Sequence, residues 1–409
     1  MKILWICNLM LPQIAESLNT SAPCGGGWMA GLAEDITVLD SVQLSVCFPC
    51  GNAAEGTAGK VRYFGFDGEK TLYNIIEKEN PDVVHIFGTE YIHSYYAALA
   101  CEKLGILHKA VISAQGIVSF TSKHYFGGVP TYVKYARSFR DVLKRQSVSK
   151  AKKAFEKQGI FERKALNMVQ HVIGRTDWDY ACTRQINPDI KYHFCNETLR
   201  NSFYENEWDI EKCEKHSIFV SQCNYPLKGF HRVLEAMQTI LKFHPDTKLY
   251  TTGRNLLNEK GLISRLKLTY YEVYLKKLIK KYNLGKSVVF LGPLDEKGMC
   301  GRYLKSHVFV SASSVENSPN SLGEAMILGV PTVTSDVGGV KTLFKHNEDG
   351  FIYQADAPYM LADCIIKIFE SDELAGVFSQ NAKKHANMIH NRKNNLKTMI
   401  KIYEEISES

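Results

Sequence analysis

Short β-branched apolar runs alternate with amphipathic helical stretches along the whole chain, and no other feature restricts its fold as strongly. In the first half the runs are KILWIC (2–7), VQLSVCF (42–48), DVVHIF (82–87), AVISA (110–114) and HVIGR (171–175). In the second half they are SIFVSQ (217–222), KLYTTG (248–253), VVFLG (288–292), VFVSAS (308–313) and TVTSD (332–336). A run that is apolar at successive positions has no wet face, so these strands belong in parallel sheets covered by helices on both sides. A chain of 409 residues is too long for one ordinary core, and two domains of about 200 residues are expected. The expected class is α/β, with two doubly wound parallel-sheet domains facing each other across a cleft at the C-terminal ends of their strands. The polar stretch CNETLRNSFYENEW (195–208) marks the boundary, giving a first domain over 1–200 and a second over 201–385. The helical tail 386–409 has no place on the second sheet and is expected to cross back to the first domain.

Composition narrows the class. Apolar residues make up 45% and charged residues 23%, the profile of a soluble globular protein. No apolar run approaches the roughly 20 residues that span a bilayer. The N-terminal MKILWICNLMLP reads as a buried strand, not as a signal peptide. The eleven cysteines are scattered, a pattern of reduced thiols in a cytoplasmic protein, without a disulfide framework or a zinc site. The lone CFPC (47–50) runs into GNAAEGTAG, which reads as loop, so a redox role is not expected of it. The net charge of +7 is unevenly placed. Residues 134–164 hold eleven Lys and Arg against three Asp and Glu, and residues 260–286 hold eight against one. Both segments are helix-like: either solvated faces or surfaces for anionic lipid or an anionic acceptor. No nucleic-acid motif accompanies the charge.

Four loops following strands are able to carry chemistry. CGGGW (24–28) places Gly25, Gly26 and Gly27 before a helix, where bare backbone approaches an anion. It does not fit the dinucleotide pattern, and without a G-x-G-x-x-G after a strand a nicotinamide dehydrogenase is poorly supported. SQCNYPLKGF (221–230) sets Lys228 just ahead of a helix, where an ammonium and helix N–H groups converge on a diphosphate. ENSPNSLGE (316–324) carries two glutamates. Ser321 and Glu324 form an S-x-x-E capping pattern, and Gly329 with Pro331 stops the helix. Glu316 has no such local explanation, and the N–H groups of Asn320, Ser321 and Leu322 are expected to point at the same spot. SDVGGV (335–340) repeats the strand-then-glycine arrangement with Gly338 and Gly339.

Taken together, E-x7-E after a strand, the Lys-Gly pair, the early Gly-Gly loop and GVPTVTSDVGG resemble the retaining glycosyltransferases of family 4, of bacterial surface-polysaccharide type. The similarity runs in order along essentially the whole chain. It implies a GT-B architecture of two Rossmann-like domains: an acceptor side over 1–200 and a nucleotide-sugar side over 201–385. It also implies a UDP- or GDP-sugar donor, no cofactor and no metal. On the resemblance, Glu316 contacts the donor sugar near the reacting carbon, Glu324 holds the ribose and Lys228 balances the diphosphate. Gly25 to Gly27, together with Gly338 and Gly339, approach donor or acceptor.

Three positions depart from the family pattern: Gln222 stands where an arginine is usual, Gln115 where many members have histidine, and Thr342 in place of a glutamate. Arg175 or Arg254, both just after strands, are candidates to replace the missing arginine. The implied activity is hexosyl transfer in capsule, O-antigen or exopolysaccharide assembly. The acceptor would be a glycan or lipid-linked sugar at the cytoplasmic face of the plasma membrane, with the basic helices of 134–164 against anionic lipid. Two alternatives stand beside it: a nucleotide-sugar epimerase of the same fold, and a catalytically weakened sugar-nucleotide-binding partner subunit.

Overall fold

The computed structural model describes residues 1–20, 27–51, 54–257, 261 and 266–409. The chain divides into two compact units. One comprises Met1–Phe120, Phe155–Arg200 and Ile389–Ser409; the other comprises Thr121–Ala154 and Asn201–Met388.

The first unit is built on eight strands: β1 (Lys2–Ile6), β2 (Gln43–Pro49), β3 (Glu55–Ala58), β4 (Val61–Phe66), β5 (Val83–Phe87), β6 (Ala110–Ser113), β7 (His171–Gly174) and β8 (Lys191–Phe194). Their order is β3-β4-β2-β1-β5-β6-β7-β8, and only the β3–β4 pair is antiparallel. The central strands are buried along nearly their whole length, as both-face coverage requires. One face carries Ile75, Ala97 and Leu166. The other carries Leu32, Ile36 and, from the chain's end, Met399, Ile402, Tyr403 and Ile406. The last helix, Arg392–Ser407, is therefore part of this core. Trp5 Nε1 donates to the Tyr403 hydroxyl at 3.1 Å, and Arg392 pairs with Asp35 at 2.8 Å. The segment GNAAEGTAG, read as loop from its sequence, contributes strand β3, which pairs with β4 at the sheet edge.

The second unit carries six parallel strands: β9 (Glu214–Val220), β10 (Lys248–Thr251), β11 (Val288–Phe290), β12 (Ser306–Ser311), β13 (Thr332–Ser335) and β14 (Gly350–Tyr353). The order is β11-β10-β9-β12-β13-β14. Winding thus proceeds outward in both directions from the β9–β12 pair, and the loops leaving these two strands lie side by side at the reversal, where open α/β sheets bind ligands.

Residues 121–154 group with this second unit, although sequence order places them within 1–200. Tertiary bonds account for the difference. The Asp141 carboxylate accepts from Tyr270 N at 2.9 Å. Arg232 Nη2 donates to Gly127 O at 3.0 Å, and His231 Nε2 donates to the same carbonyl at 3.0 Å. No helix among the described residues is long and apolar enough to cross a membrane.

Candidate active site

The loops after β9 and β12 are joined by backbone before any side chain is considered. After β9 the chain makes a short turn over Pro226–Lys228 that closes on Gly229 at φ 68°. A Cβ at Gly229 would fall 1.8 Å from the Ala312 carbonyl oxygen, so only glycine lets the two loops pack this closely. Ser314 N then donates to Leu227 O at 2.8 Å.

This junction delivers Lys228 to Glu316. Lys228 Nζ donates to Glu316 Oε1 at 2.6 Å, and Ser313 Oγ donates to the same oxygen at 2.5 Å. The two charged side chains are 21% and 14% exposed. Burial alone would lower the lysine's pKa, but the charges of Glu316 and Tyr225 outweigh it and raise it above its ordinary value. Lys228 is a fixed cation. Tyr225 is itself raised, by burial first, with Lys228 and Glu316 acting on its hydroxyl in opposite senses. Glu316, which has no explanation within its own segment of sequence, therefore finds a partner across the switch point.

The backbone of Glu316 is held from the third loop. Gly339 N donates to Glu316 O at 3.0 Å, and a Cβ at Gly338 (φ 51°) would lie 1.9 Å from that oxygen. The two glycines thus pack against the residue that carries the carboxylate.

The helix Asn320–Leu328 starts differently from the sequence pattern. Pro319 is its N-cap, and no side chain caps it. The S-x-x-E box does not form, because the proline's extended backbone begins the helix two residues before Ser321 and puts the serine inside the first turn. Leu322 N, expected to be free, bonds to Pro319 O at 2.9 Å. Asn320 and Ser321 sit in the first turn, where N–H groups lack intrahelical partners. Glu324 is buried at 6% exposure. Its capping role is removed, and the buried carboxylate lies on the turn that follows those N–H groups.

The remaining candidates are dispersed. Gln222 is exposed in the loop after β9. Arg254 Nη1 donates to Lys267 O at 2.9 Å. In the first unit, Gln115 is half-buried after β6, and Arg175 is buried against Glu197 at 2.6 Å, a carboxylate that neutralises it. Gly25 and Gly26 lie outside the described residues, and Gly27 opens the helix Gly27–Thr37.

Sequence reasoning did not single out Ser313, Tyr225 or Glu90. The first two lie three positions before Glu316 and Lys228 in the same loops, which is the available signal. Glu90 follows β5 as Glu316 follows β12. Burial above all, with the nearby Glu162 charge adding to it, pushes its carboxyl up to about 7.

Residues 201–385 match the model of the family described as glycosyl transferases group 1. "Putative glycosyltransferase YtcC" of Bacillus subtilis is 26% identical over 206 residues, covering 50% of this chain and 48% of that protein. Phosphatidyl-myo-inositol mannosyltransferase of Mycobacterium leprae is 24% identical over 161 residues, 39% of this chain and 38% of that protein. The chain thus spans about half the length, or less, of these curated relatives. Sucrose-phosphate synthase from Thermosynechococcus elongatus superposes with a TM-score of 0.72 at 14% identity, covering 99% of each chain. Anabaena HepE, solved with UDP and glucose, gives 0.69 at 15% identity, covering 99% of this chain and 100% of its own. At such identities the likeness shows a common fold.

Proposed function

Because residues 201–385 belong to the glycosyl transferases group 1 family and the chain shares the GT-B fold of its structural neighbours, we propose that it is a retaining glycosyltransferase. It takes a sugar from a nucleotide-sugar donor and delivers it to a glycan or lipid-linked acceptor in surface-polysaccharide assembly at the cytoplasmic face of the membrane. The observation that carries this reading is the Lys228–Glu316 pair at the switch point.

When the bond from the anomeric carbon to the diphosphate breaks, negative charge grows on the departing phosphate. A cation fixed beforehand lowers that barrier without having to reorganise. Lys228 supplies it, exchanging Glu316 for the diphosphate, and the protein's own charge does the work that a metal ion does elsewhere. Glu316, released by the exchange, accepts hydrogen bonds from the sugar's hydroxyls. The first-turn N–H groups of Asn320 and Ser321 suit an anion, and Glu324 holds the ribose hydroxyls. HepE was solved with UDP-glucose, so a UDP-sugar is the first donor to try, with GDP-sugars beside it.

The test is a panel of UDP- and GDP-sugars, following nucleotide release and, by NMR, the configuration of the released or transferred sugar. Release of nucleotide with retained configuration supports the proposal. A protein that neither binds nor turns over any donor refutes it, and interconversion of the free donor sugar without release would instead mark an epimerase.

A further inference from the structure

A cavity of about 390 Å³ lies wholly within the second unit and within the roughly 300–1,000 Å³ range of ligand sites. Its wall brings Arg140, Arg145 and Lys150 together with Tyr125 and Tyr225. Asp141 is the one acidic side chain among its described lining residues, and that carboxylate is 2% exposed and already engaged. It accepts from Ser138 N at 3.0 Å and from Tyr270 N at 2.9 Å. Among the described residues, none of Arg140, Arg145 and Lys150 makes an ion pair. Three uncompensated cations around one concavity call for an anion.

Two further observations narrow the occupant. The rings of Tyr125 and Tyr225 stack at 6.4 Å with an interplanar angle of 20°, which sets two near-parallel aromatic rings in the wall, and sugars pack on aromatic faces. Tyr225 also senses the charges of Lys228 and Glu316, so this end of the cavity adjoins the proposed reaction centre. The short helix Phe139–Leu143, which supplies Arg140 to the wall, leaves Phe139, Val142 and Leu143 in solvent at 59%, 62% and 69% exposure. Cations lining a cavity beside exposed apolar side chains match an amphiphile with an anionic head.

We propose that this cavity is the acceptor site, and that it takes the phosphate-linked head group of a lipid-anchored sugar. The phosphate is held by Arg140, Arg145 and Lys150, the sugar lies against Tyr125 and Tyr225, and the apolar chain runs over Phe139, Val142 and Leu143. What is transferred rests on the glycosyltransferase reading, whereas the binding does not. In the transfer itself, the bond between the anomeric carbon and the diphosphate oxygen breaks as the bond to the acceptor hydroxyl oxygen forms. The hydroxyl proton departs with the nucleoside diphosphate.

The experiment compares binding of farnesyl-diphospho-N-acetylglucosamine, neutral octyl N-acetylglucosaminide and UDP to the full chain and to its Arg145→Gln/Lys150→Gln variant. Both substituted side chains are exposed, so thermal melts should coincide and confirm folding. The diphosphate probe should bind the unaltered protein and lose about tenfold or more in the variant, while UDP affinity holds. The neutral glycoside should bind more weakly throughout. Equal binding of the neutral glycoside, indifference of the diphosphate probe to the substitution, or a parallel loss of UDP would each overturn the proposal. Failure of UDP to bind the unaltered protein would instead strike the donor reading, so the two failures are separable.

Discussion

Lys228 and Glu316 stand 88 positions apart in the chain and 2.6 Å apart in the structure. On the proposed function the pair is more than a staple: the cation would exchange its partner for the donor's diphosphate, and the carboxylate would be left to accept hydroxyl groups. Glu316→Gln keeps shape and much of the hydrogen bonding but removes the charge. Turnover should fall by about 100-fold or more, on the scale of losing one fixed transition-state contact, with UDP affinity nearly unchanged. Kinetics and calorimetry on the same preparation check this. Equal losses in turnover and UDP affinity would place Glu316 in ground-state binding only.

The third loop should be as sensitive as the residues it supports. Gly338→Ala sets a Cβ 1.9 Å from the Glu316 carbonyl at φ 51°, and strain of this kind costs about 1–3 kcal/mol. Gly376, inside the helix Asp372–Ile389, has nothing within 4 Å of its virtual Cβ. Gly376→Ala should therefore stabilise by roughly 0.5–1 kcal/mol. Denaturant melts of the two variants should move in opposite directions, and Gly338→Ala should lose activity as well.

The absent capping box makes a separate prediction. Ser321→Ala should change stability by less than about 0.5 kcal/mol, because no cap is lost. Thr269, by contrast, accepts from Glu272 N at 3.2 Å while Glu272 Oε2 accepts from Thr269 N at 2.6 Å. Thr269→Ala removes a working cap and should cost about 1 kcal/mol. A reversal of that order in chemical denaturation would restore the cap to Ser321.

Mild acid should loosen residues 121–154. His231 is buried, and its pKa is lowered to about 4 by that burial first and by the Arg232 charge second, with the Gly127 bond opposing. Its Nδ1 lies 3.1 Å from the Tyr271 hydroxyl and its Nε2 3.0 Å from Gly127 O. Because the folded pKa lies below the ordinary histidine value, the unfolded chain binds more protons between about pH 6.5 and 4. The stability from neutral His231 is complete above that window and lost as the pH falls through it, up to about 3 kcal/mol. Amide exchange in 121–154 should speed up at pH 5 relative to pH 7.5, and His231→Gln should flatten the difference.

How much of this was legible in the sequence depended on what each element buries. The ten apolar runs all became strands because strands covered on both faces must be apolar throughout. The unannounced strands β3 and β8 are sheet edges, partly in water and correspondingly mixed in composition; the edge strand β14 is a run of only four residues that opens on Gly350, and β4 is interrupted by Arg62 and Gly65. Lys228 and Glu316 were visible because chemistry collects at the C-terminal ends of parallel strands. Their bond was not, since it depends on β9 lying beside β12, which no local pattern encodes. Ser321-x-x-Glu324 misled for a related reason: the pattern was complete, but Pro319 had already begun the helix. The allegiance of 121–154 rests on a few tertiary bonds, to the Gly127 carbonyl and to the Asp141 carboxylate, which leave no mark in the surrounding composition.

The Trp5–Tyr403 hydrogen bond joins residues 398 positions apart, and this sets a calendar for biosynthesis. A ribosome releases the chain from its N-terminus onward, so β1 waits for the helix Arg392–Ser407 before its indole and the neighbouring His85 find their phenol. All of the second unit's sequence is available by Met388, before that helix exists. The half of the molecule begun first is the half sealed last. A nascent chain halted before Arg392 should therefore offer chaperones and proteases the face around Trp5, Leu32 and Phe87 while its younger half is already whole.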